Sequence, residues 1–228
     1  MPRTLLFLLG GSQAYEVYAD YFVAASGGDD ARIVALMHNR AEWERHRSEI
    51  IWPWKQRGVR HYKPIFPKAR GVLDVEKTSS MLQEATGIFI GGGHTPSYQR
   101  LFATGTIRDI IRERYLSGVP VAGISAGALI CMEICQLTPD ETRKDSIEIV
   151  PGLGLAGGFV VGVHFSGAGS LSEVLDAMAA TRTTIGVGID DSACVVCKSG
   201  KAAEALGRDV YKIKMTNFDK CSYRMAKM

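Results

Sequence analysis

Apolar residues along this chain fall into short runs, and between them lie longer stretches whose apolar positions recur three and four residues apart. The runs 4–9, 32–36, 61–65, 87–90, 119–124, 159–163, 185–189, 192–197 and 210–214 predict strands. Residues 14–25, 41–55, 77–85, 97–103 and 106–116 carry the helical spacing and predict helices between the early strands. Strand and helix in alternation predict an α/β fold: a doubly wound, mostly parallel sheet with helices on both faces. The last third differs, because Ser199-Gly200 separates two β-runs as a hairpin turn would, so antiparallel edge strands are expected near the C-terminus. No repeat, low-complexity tract or long linker breaks the pattern. A chain of 228 residues with 46% hydrophobic content can bury a large core, and 1–228 is read as one domain.

The most pointed local feature is Val119-Pro-Val-Ala-Gly-Ile-Ser125-Ala-Gly127-Ala, an apolar strand that runs into Gly-x-Ser-x-Gly and then into a helix-forming run. Ile107, Ile110, Ile111 and Tyr115 mark the helix before it, which Gly118 ends, and Ala128, Leu129, Ile130, Met132 and Ile134 suit a largely buried helix after it. Such a strand-to-helix turn is sharp, and side chains in place of Gly123 and Gly127 would collide with neighbouring backbone. It would push the Ser125 hydroxyl out at a strand's carboxyl end, where the following N–H groups face a developing negative oxygen. That is acyl-transfer chemistry; the competing reading is a tight turn with a capping serine.

A serine nucleophile needs a base, and histidine can accept and return a proton near neutral pH. His164 ends the apolar run 159–163 and precedes the small-residue loop 165–169, which places it at a strand edge. His38, which ends another strand, is the runner-up. The imidazole in turn needs a carboxylate. Asp190 and Asp191 end the run 185–189, and Asp140 lies in the polar loop expected after the elbow helix; each could equally serve as a turn or capping aspartate. For the oxyanion, Ala126 N–H follows the nucleophile, and Gly91-Gly-Gly93 directly follows the strand 87–90 and can bring in a second N–H. That glycine loop lacks the Lys-Ser/Thr ending of a phosphate-binding P-loop, and Gly152-Leu-Gly-Leu-Ala-Gly157 precedes a β-run rather than the helix that dinucleotide binding requires.

Composition narrows the classes. Lys+Arg 27 against Asp+Glu 24 leaves +3, spread without a basic block, so neither nucleic acid nor an anionic membrane is an expected partner. The apolar run after Arg3 is too short for a signal peptide, and the weakly polar run 152–165 is too short to span a bilayer, so a cytoplasmic location is expected. Five cysteines, an odd number, argue against a disulfide framework. Cys194-Val-Val-Cys197 lies in a β-patterned segment, where positions three apart face opposite sides of the sheet, so both are read as core thiols. Cys131 and Cys135, four apart on the expected post-elbow helix, are read as packing residues, and the histidines form no metal-ligand spacing with them.

Taken together, Ile88-Phe-Ile-Gly-Gly-Gly93, Gly123-Ile-Ser-Ala-Gly-Ala128, Gly152-Leu-Gly-Leu155, Val163-His-Phe165 and Gly188-Ile-Asp-Asp-Ser-Ala193 followed by a hairpin make the chain similar to a known family. It resembles the cyanophycinase and aspartyl dipeptidase (dipeptidase E) family of serine peptidases, whose fold is like that of class I glutamine amidotransferases. The resemblance implies Ser125 as nucleophile, His164 as base, and the N–H groups of Gly93 and Ala126 as oxyanion hole. The third member is divided: cyanophycinase-like members have a glutamate where Asp191 stands, and aspartyl dipeptidases use an aspartate shortly after the elbow helix, where Asp140 lies. Gly92, His94 and Thr95 fall where the family binds substrate. Two departures bear on specificity: His94 replaces the usual Asn, Asp or Gln, and the segment 166–173 lacks the arginines that often follow the His-Phe pair. The resemblance implies a small-peptide or isopeptide exopeptidase that works through a Ser-His-Asp triad and an acyl-enzyme, with no metal and no cofactor. Its expected partner is a small peptide substrate, with room for a homodimer. The alternatives are a catalytically silent ligand-binding member of the same fold and an esterase or amidase of related topology. An amidotransferase-like enzyme would carry cysteine at the elbow.

Overall fold

In the computed structural model, which describes residues 3–68, 71–167 and 170–228, the alternation of runs becomes β1 (Leu5–Leu9), α1 (Tyr15–Ala25), β2 (Arg32–Leu36), α2 (Arg40–Gln56), β3 (His61–Ile65), α3 (Val75–Glu84), β4 (Gly87–Ile90), α4 (Thr95–Phe102), α5 (Gly105–Leu116) and β5 (Val121–Ile124). Side-chain caps start two of these helices: Asn39 accepts the Glu42 N–H at 2.8 Å ahead of α2, and Asp74 accepts the Lys77 N–H at 3.1 Å ahead of α3. The five strands lie parallel in the order β1-β5-β4-β2-β3. β10 (Ala193–Lys198) pairs antiparallel with β1, and the Ser199-Gly200 turn returns the chain as β11 (Lys201–Gly207) at the edge, as the hairpin reading anticipates.

Successive residues of β1 serve opposite faces of this sheet. Leu6 and Leu8 join one apolar cluster, and Phe7 and Leu9 join the other, where α1 and α2 pack with Tyr18, Phe22 and Trp54. The same alternation places Cys197 in the first cluster and Cys194 in the second, on opposite faces as expected.

Three sequence expectations are corrected. The runs 159–163, 185–189 and 210–214 do not extend the central sheet. As β8 (Val160–Gly162), β9 (Ile185–Ile189) and β12 (Val210–Asn217), they form a second sheet with β13 (Ser222–Lys227), covered by α8 (Ser170–Thr181) over a separate cluster that includes Val160, Val174, Met178 and Ile213. An apolar run predicts a strand but not its neighbours. The helix after the elbow, α6, is Ala126–Cys131 only, because the N–H groups of Leu153, Leu155 and Gly154 take the carbonyls of Ile130, Cys131 and Met132 at 2.7, 2.9 and 3.0 Å, in place of the next helical turn. Ile134 therefore opens β6 (Ile134–Leu137), which carries Cys135 and pairs with β7 (Glu148–Pro151), so Cys131 and Cys135 do not share a helix. Asp140 sits in the short helix α7 (Pro139–Thr142) rather than in a loop.

Of the five cysteines, only Cys221 is exposed. Burial pushes the thiols of Cys135 and Cys197 up to about 12, and raises Cys131 and Cys194 as well. None of the described helices is long and apolar enough to cross a membrane.

Titration with a thiol-reactive disulfide reagent should therefore modify one cysteine in the folded chain and all five after unfolding. Phe89→Ala, which empties a fully buried site between the rings of Tyr15 and Trp54, should cost about 3–5 kcal/mol in urea unfolding.

Candidate active site

β5 is buried through Ile124 and then turns directly into α6. The turn residue is Ser125, with φ 52° and ψ −118°, a left-handed conformation that costs a residue with a side chain about 1–3 kcal/mol. Two glycines leave room for it: a Cβ at 123 would meet the Gly127 carbonyl, and one at 127 would meet the Ile90 carbonyl. All six residues of α6 are buried, and that packing holds the strained turn in place. Ala128 and Leu129 donate their N–H groups to the Ser125 carbonyl at 2.9 and 3.1 Å. Ala126, the first helical residue, has no carbonyl of its own helix to which it could donate. The Ser125 hydroxyl thus stands beside the positive end of α6.

The partners of Ser125 are registered on the end of β1. Ser125 N–H donates to the Leu9 carbonyl at 3.1 Å, and His164 N–H donates to the next carbonyl, Gly10, at 3.3 Å. His164 follows β8 and also has a positive φ, 50°. Its Nε2 accepts from Ser125 Oγ at 2.8 Å, and its Nδ1 donates to Asp191 Oδ1 at 2.5 Å. With the proton on Nδ1, Nε2 is free to accept one from the hydroxyl. The His164 and Asp191 side chains keep 51% and 43% of their surface in solvent, so a substrate can reach the group.

Asp191 reaches the ring although only one methylene separates its carboxylate from the backbone. The reason is Gly11, where a Cβ would overlap the Asp191 carboxylate and Cα. The bare backbone lets the turn after β9 close onto the imidazole. Asp190 plays a different part: it accepts from Ser166 Oγ and, at 2.7 Å, from the Asp191 N–H, tying the loop after His164 to the turn that carries Asp191.

Other sequence candidates are placed elsewhere. Asp140 is exposed on α7, and the carboxylate at His164 Nδ1 is that of Asp191. His38, the runner-up base, lies behind the glycine loop; its Nε2 meets Asn39 Nδ2 at 2.7 Å, and burial lowers its pKa, with Glu42 opposing. Gly92 packs on the turn at Ser125, its Cβ position 3.3 Å from Ser125 Cβ. His94 occupies the N-cap position of α4 without a side-chain bond to its backbone, its Nδ1 2.9 Å from Ser97 Oγ, and Thr95 N–H donates to Glu141 Oε1 at 2.8 Å. Ala168 and Gly169 of the small-residue loop lie outside the described residues. The segment 166–173, which contains no arginine, carries Glu173, whose carboxyl is raised by burial and by the charges of Asp140, Glu141 and Asp176. Among the described residues, no group of three or more His, Cys, Asp or Glu could hold a metal ion.

Gly10 and Gly11, the Ser166–Asp190 tie and the Glu141–Thr95 link escape the sequence reading. Only the glycine pair had a visible signal, since it directly follows a strand just as Gly91-Gly-Gly93 does.

A model of peptidase family S51 matches residues 69–205, more than half of the chain. Cyanophycinase from Nostoc sp. (strain PCC 7120 / SAG 25.82 / UTEX 2576) is 22% identical over 214 residues, which span 90% of this chain and 72% of that protein. Cyanophycinase from Synechococcus elongatus is 26% identical over 155 residues, 66% of this chain and 48% of that one. Among solved structures, a peptidase from an acI-B1 Actinobacterium superposes with a TM-score of 0.67 at 17% identity, covering 92% of this chain and 90% of its own. A peptidase E-type protein from Listeria monocytogenes EGD-e superposes with a TM-score of 0.59 at 13% identity, covering 94% of this chain and 100% of its own. These superpositions establish the fold: the mostly parallel α/β sheet is like that of peptidase E structures and consistent with a class I glutamine amidotransferase-like fold.

Gly11→Ala should displace Asp191 from His164 and slow phosphonylation of Ser125 by a fluorophosphonate about 10²-fold, the scale of a 1 Å misplacement in a reacting group. The rate of covalent labelling, followed by intact mass, checks this.

Proposed function

Because this chain belongs to peptidase family S51 and is a serine-type peptidase, we propose that it hydrolyses small peptides or isopeptides as an exopeptidase, through a Ser125–His164–Asp191 triad and an acyl-enzyme. The observation that carries this reading is the unbroken hydrogen-bonded line from hydroxyl to imidazole to carboxylate, 2.8 and 2.5 Å long in its two links.

In this mechanism Ser125 Oγ attacks the scissile carbonyl carbon while its proton passes to His164 Nε2. Asp191 stabilises the imidazolium and holds the ring in the tautomer the step requires. The carbonyl oxygen, now negative, receives the N–H groups of Ala126 and Gly93. The C–N bond then breaks as His164 returns the proton to the leaving amine, which leaves an ester on Ser125. Water attacks that ester as its proton passes to Nε2, and His164 then returns the proton to Ser125 Oγ as the C–O bond breaks, which releases the acid and restores the hydroxyl. No step calls for a metal or cofactor.

On specificity, the residues proposed to bind substrate are Gly92, within the glycine loop, and His94 and Thr95, which follow it at the start of α4. Acidic-residue specificity is not part of this proposal, because Glu173, Asp140 and Glu141 gather negative charge at α7 and α8, next to the segment that holds His164. A cytoplasmic setting is proposed with it, on the small-peptide substrate class and the short apolar runs.

Ser125→Ala should lower kcat on a dipeptide and isopeptide library by roughly 10⁶. Asp191→Asn should lower it by about 10⁴, and Asp140→Asn far less. Wild-type turnover by Ser125→Ala would overturn the reading, and hydrolysis confined to simple esters would favour the esterase alternative.

A further inference from the structure

The oxyanion hole depends on where one peptide plane points. Gly92 C=O and Gly93 N–H belong to the same planar trans unit, so the two groups point in opposite directions. Anything that fixes the carbonyl therefore fixes the N–H.

The carbonyl is fixed from below. Tyr98, on the first turns of α4, is fully buried, and its hydroxyl donates to the Gly92 carbonyl at 3.0 Å. Burial raises the pKa of this phenol, opposed by a hydrogen bond with the His38 backbone, so it keeps its proton through the range in which a peptidase works. The ring cannot drift: its centroid lies 5.1 Å from that of His38 and 5.7 Å from that of Phe102.

The remaining freedom of the glycine loop is taken up by neighbours that occupy the space of the absent side chains. A Cβ at Gly91 would meet Met37 Sδ and the Tyr98 hydroxyl, one at Gly92 would meet Ser125 Cβ at 3.3 Å, and one at Gly93, where φ is 134°, would run into the His38 ring. His38 is itself held by Asn39, whose side-chain oxygen accepts the Glu42 N–H at the start of α2. Upstream, Gly91 N–H is anchored on the Leu36 carbonyl at 3.0 Å. The loop thus has a hydrogen bond pulling the Gly92 carbonyl toward the core and a wall on each side.

We propose that Tyr98 is a positioning residue for the oxyanion hole: its buried hydroxyl holds the Gly92 carbonyl inward and so aims the Gly93 N–H at the carbonyl oxygen of a substrate on Ser125, with His38 as the backstop. This rests on the triad and oxyanion roles proposed above. Tyr98 touches no reacting atom and acts only through the peptide plane. Without the hydroxyl, the Gly92 carbonyl loses its inward partner and the plane can rotate, which turns one of two donors away from the developing charge.

The test is Tyr98→Phe, which keeps the ring and its packing. Kinetics on the best dipeptide substrate should show kcat lowered about 10- to 10²-fold with KM little changed, less than the roughly 10²–10³ expected for outright removal of an oxyanion donor. Affinity for a peptidyl boronate, whose tetrahedral adduct on Ser125 presents an oxygen to the hole, should fall by the same factor, while affinity for the uncleaved dipeptide bound to a Ser125→Ala background stays unchanged. A merely structural tyrosine would lower the thermal midpoint and leave the kcat of the folded fraction and the boronate affinity as they were; that outcome overturns the proposal. His38→Ala, which removes the backstop and leaves the hydroxyl in place, gives an independent reading with the same selective loss of boronate affinity expected. If Ser125→Ala is inactive while both Tyr98→Phe and His38→Ala match the wild type, the positioning role fails and the triad stands. If Ser125→Ala remains active, the triad reading itself fails.

Discussion

The end of β1 is the reference against which the rest of the site is placed. Leu9 and Gly10 offer consecutive carbonyls, one to Ser125 N–H and the next to His164 N–H, and Gly11 leaves the gap that the Asp191 carboxylate fills. Three segments from distant parts of the chain therefore take their spacing from three adjacent residues. Backbone hydrogen bonds serve well here because they are directional and cannot be met by water once the strand ends pack together. Reacting groups must be placed to within a fraction of an ångström, and a rigid strand end supplies that where mobile side chains could not.

That arrangement explains how the proposed triad can be both accessible and ordered. His164 and Asp191 are about half in solvent, so burial cannot be what orients them. Their backbones do it instead, through a left-handed turn at His164, another at Ser125, and the Ser166–Asp190 tie. Strained turns of this kind persist only where surrounding packing over-determines them. Here the surrounding packing is α6, buried at every residue and stopped at Cys131 by the loop that donates to its last carbonyls. Stability generated in the core is thus coupled to geometry displayed at the surface.

Chemistry and support also differ in exposure across the glycine loop. On one side stand the hydroxyl and imidazole, open to substrate. On the other stand Tyr98, His38 and Phe102, packed ring on ring with burial holding Tyr98 protonated. The hydrogen bond from the buried Tyr98 hydroxyl to the partly buried Gly92 carbonyl holds that carbonyl on the inner side of the loop. The charge nearby, gathered by Asp140, Glu141 and Glu173, is acidic.

Much of this was legible in the order of residues. Periods of two and of three to four mark strands and helices because a pleat and a helix turn impose those repeats locally, and the elbow serine, the strand-edge histidine and the glycine loop stand out because their neighbours are small or apolar for local steric reasons. Three things needed the folded chain. Whether 159–163, 185–189 and 210–214 joined the first sheet or built a second depended on pairing partners, which an apolar run does not encode. The choice among Asp140, Asp190 and Asp191 depended on which carboxylate met the imidazole, and that was decided by the missing side chain of Gly11, far away in sequence. The part played by Tyr98 was invisible because its spacing in α4 is that of any core aromatic; only the carbonyl opposite its hydroxyl distinguishes it. Local geometry is written in adjacent residues, whereas contacts between distant segments exist only once the backbone has closed.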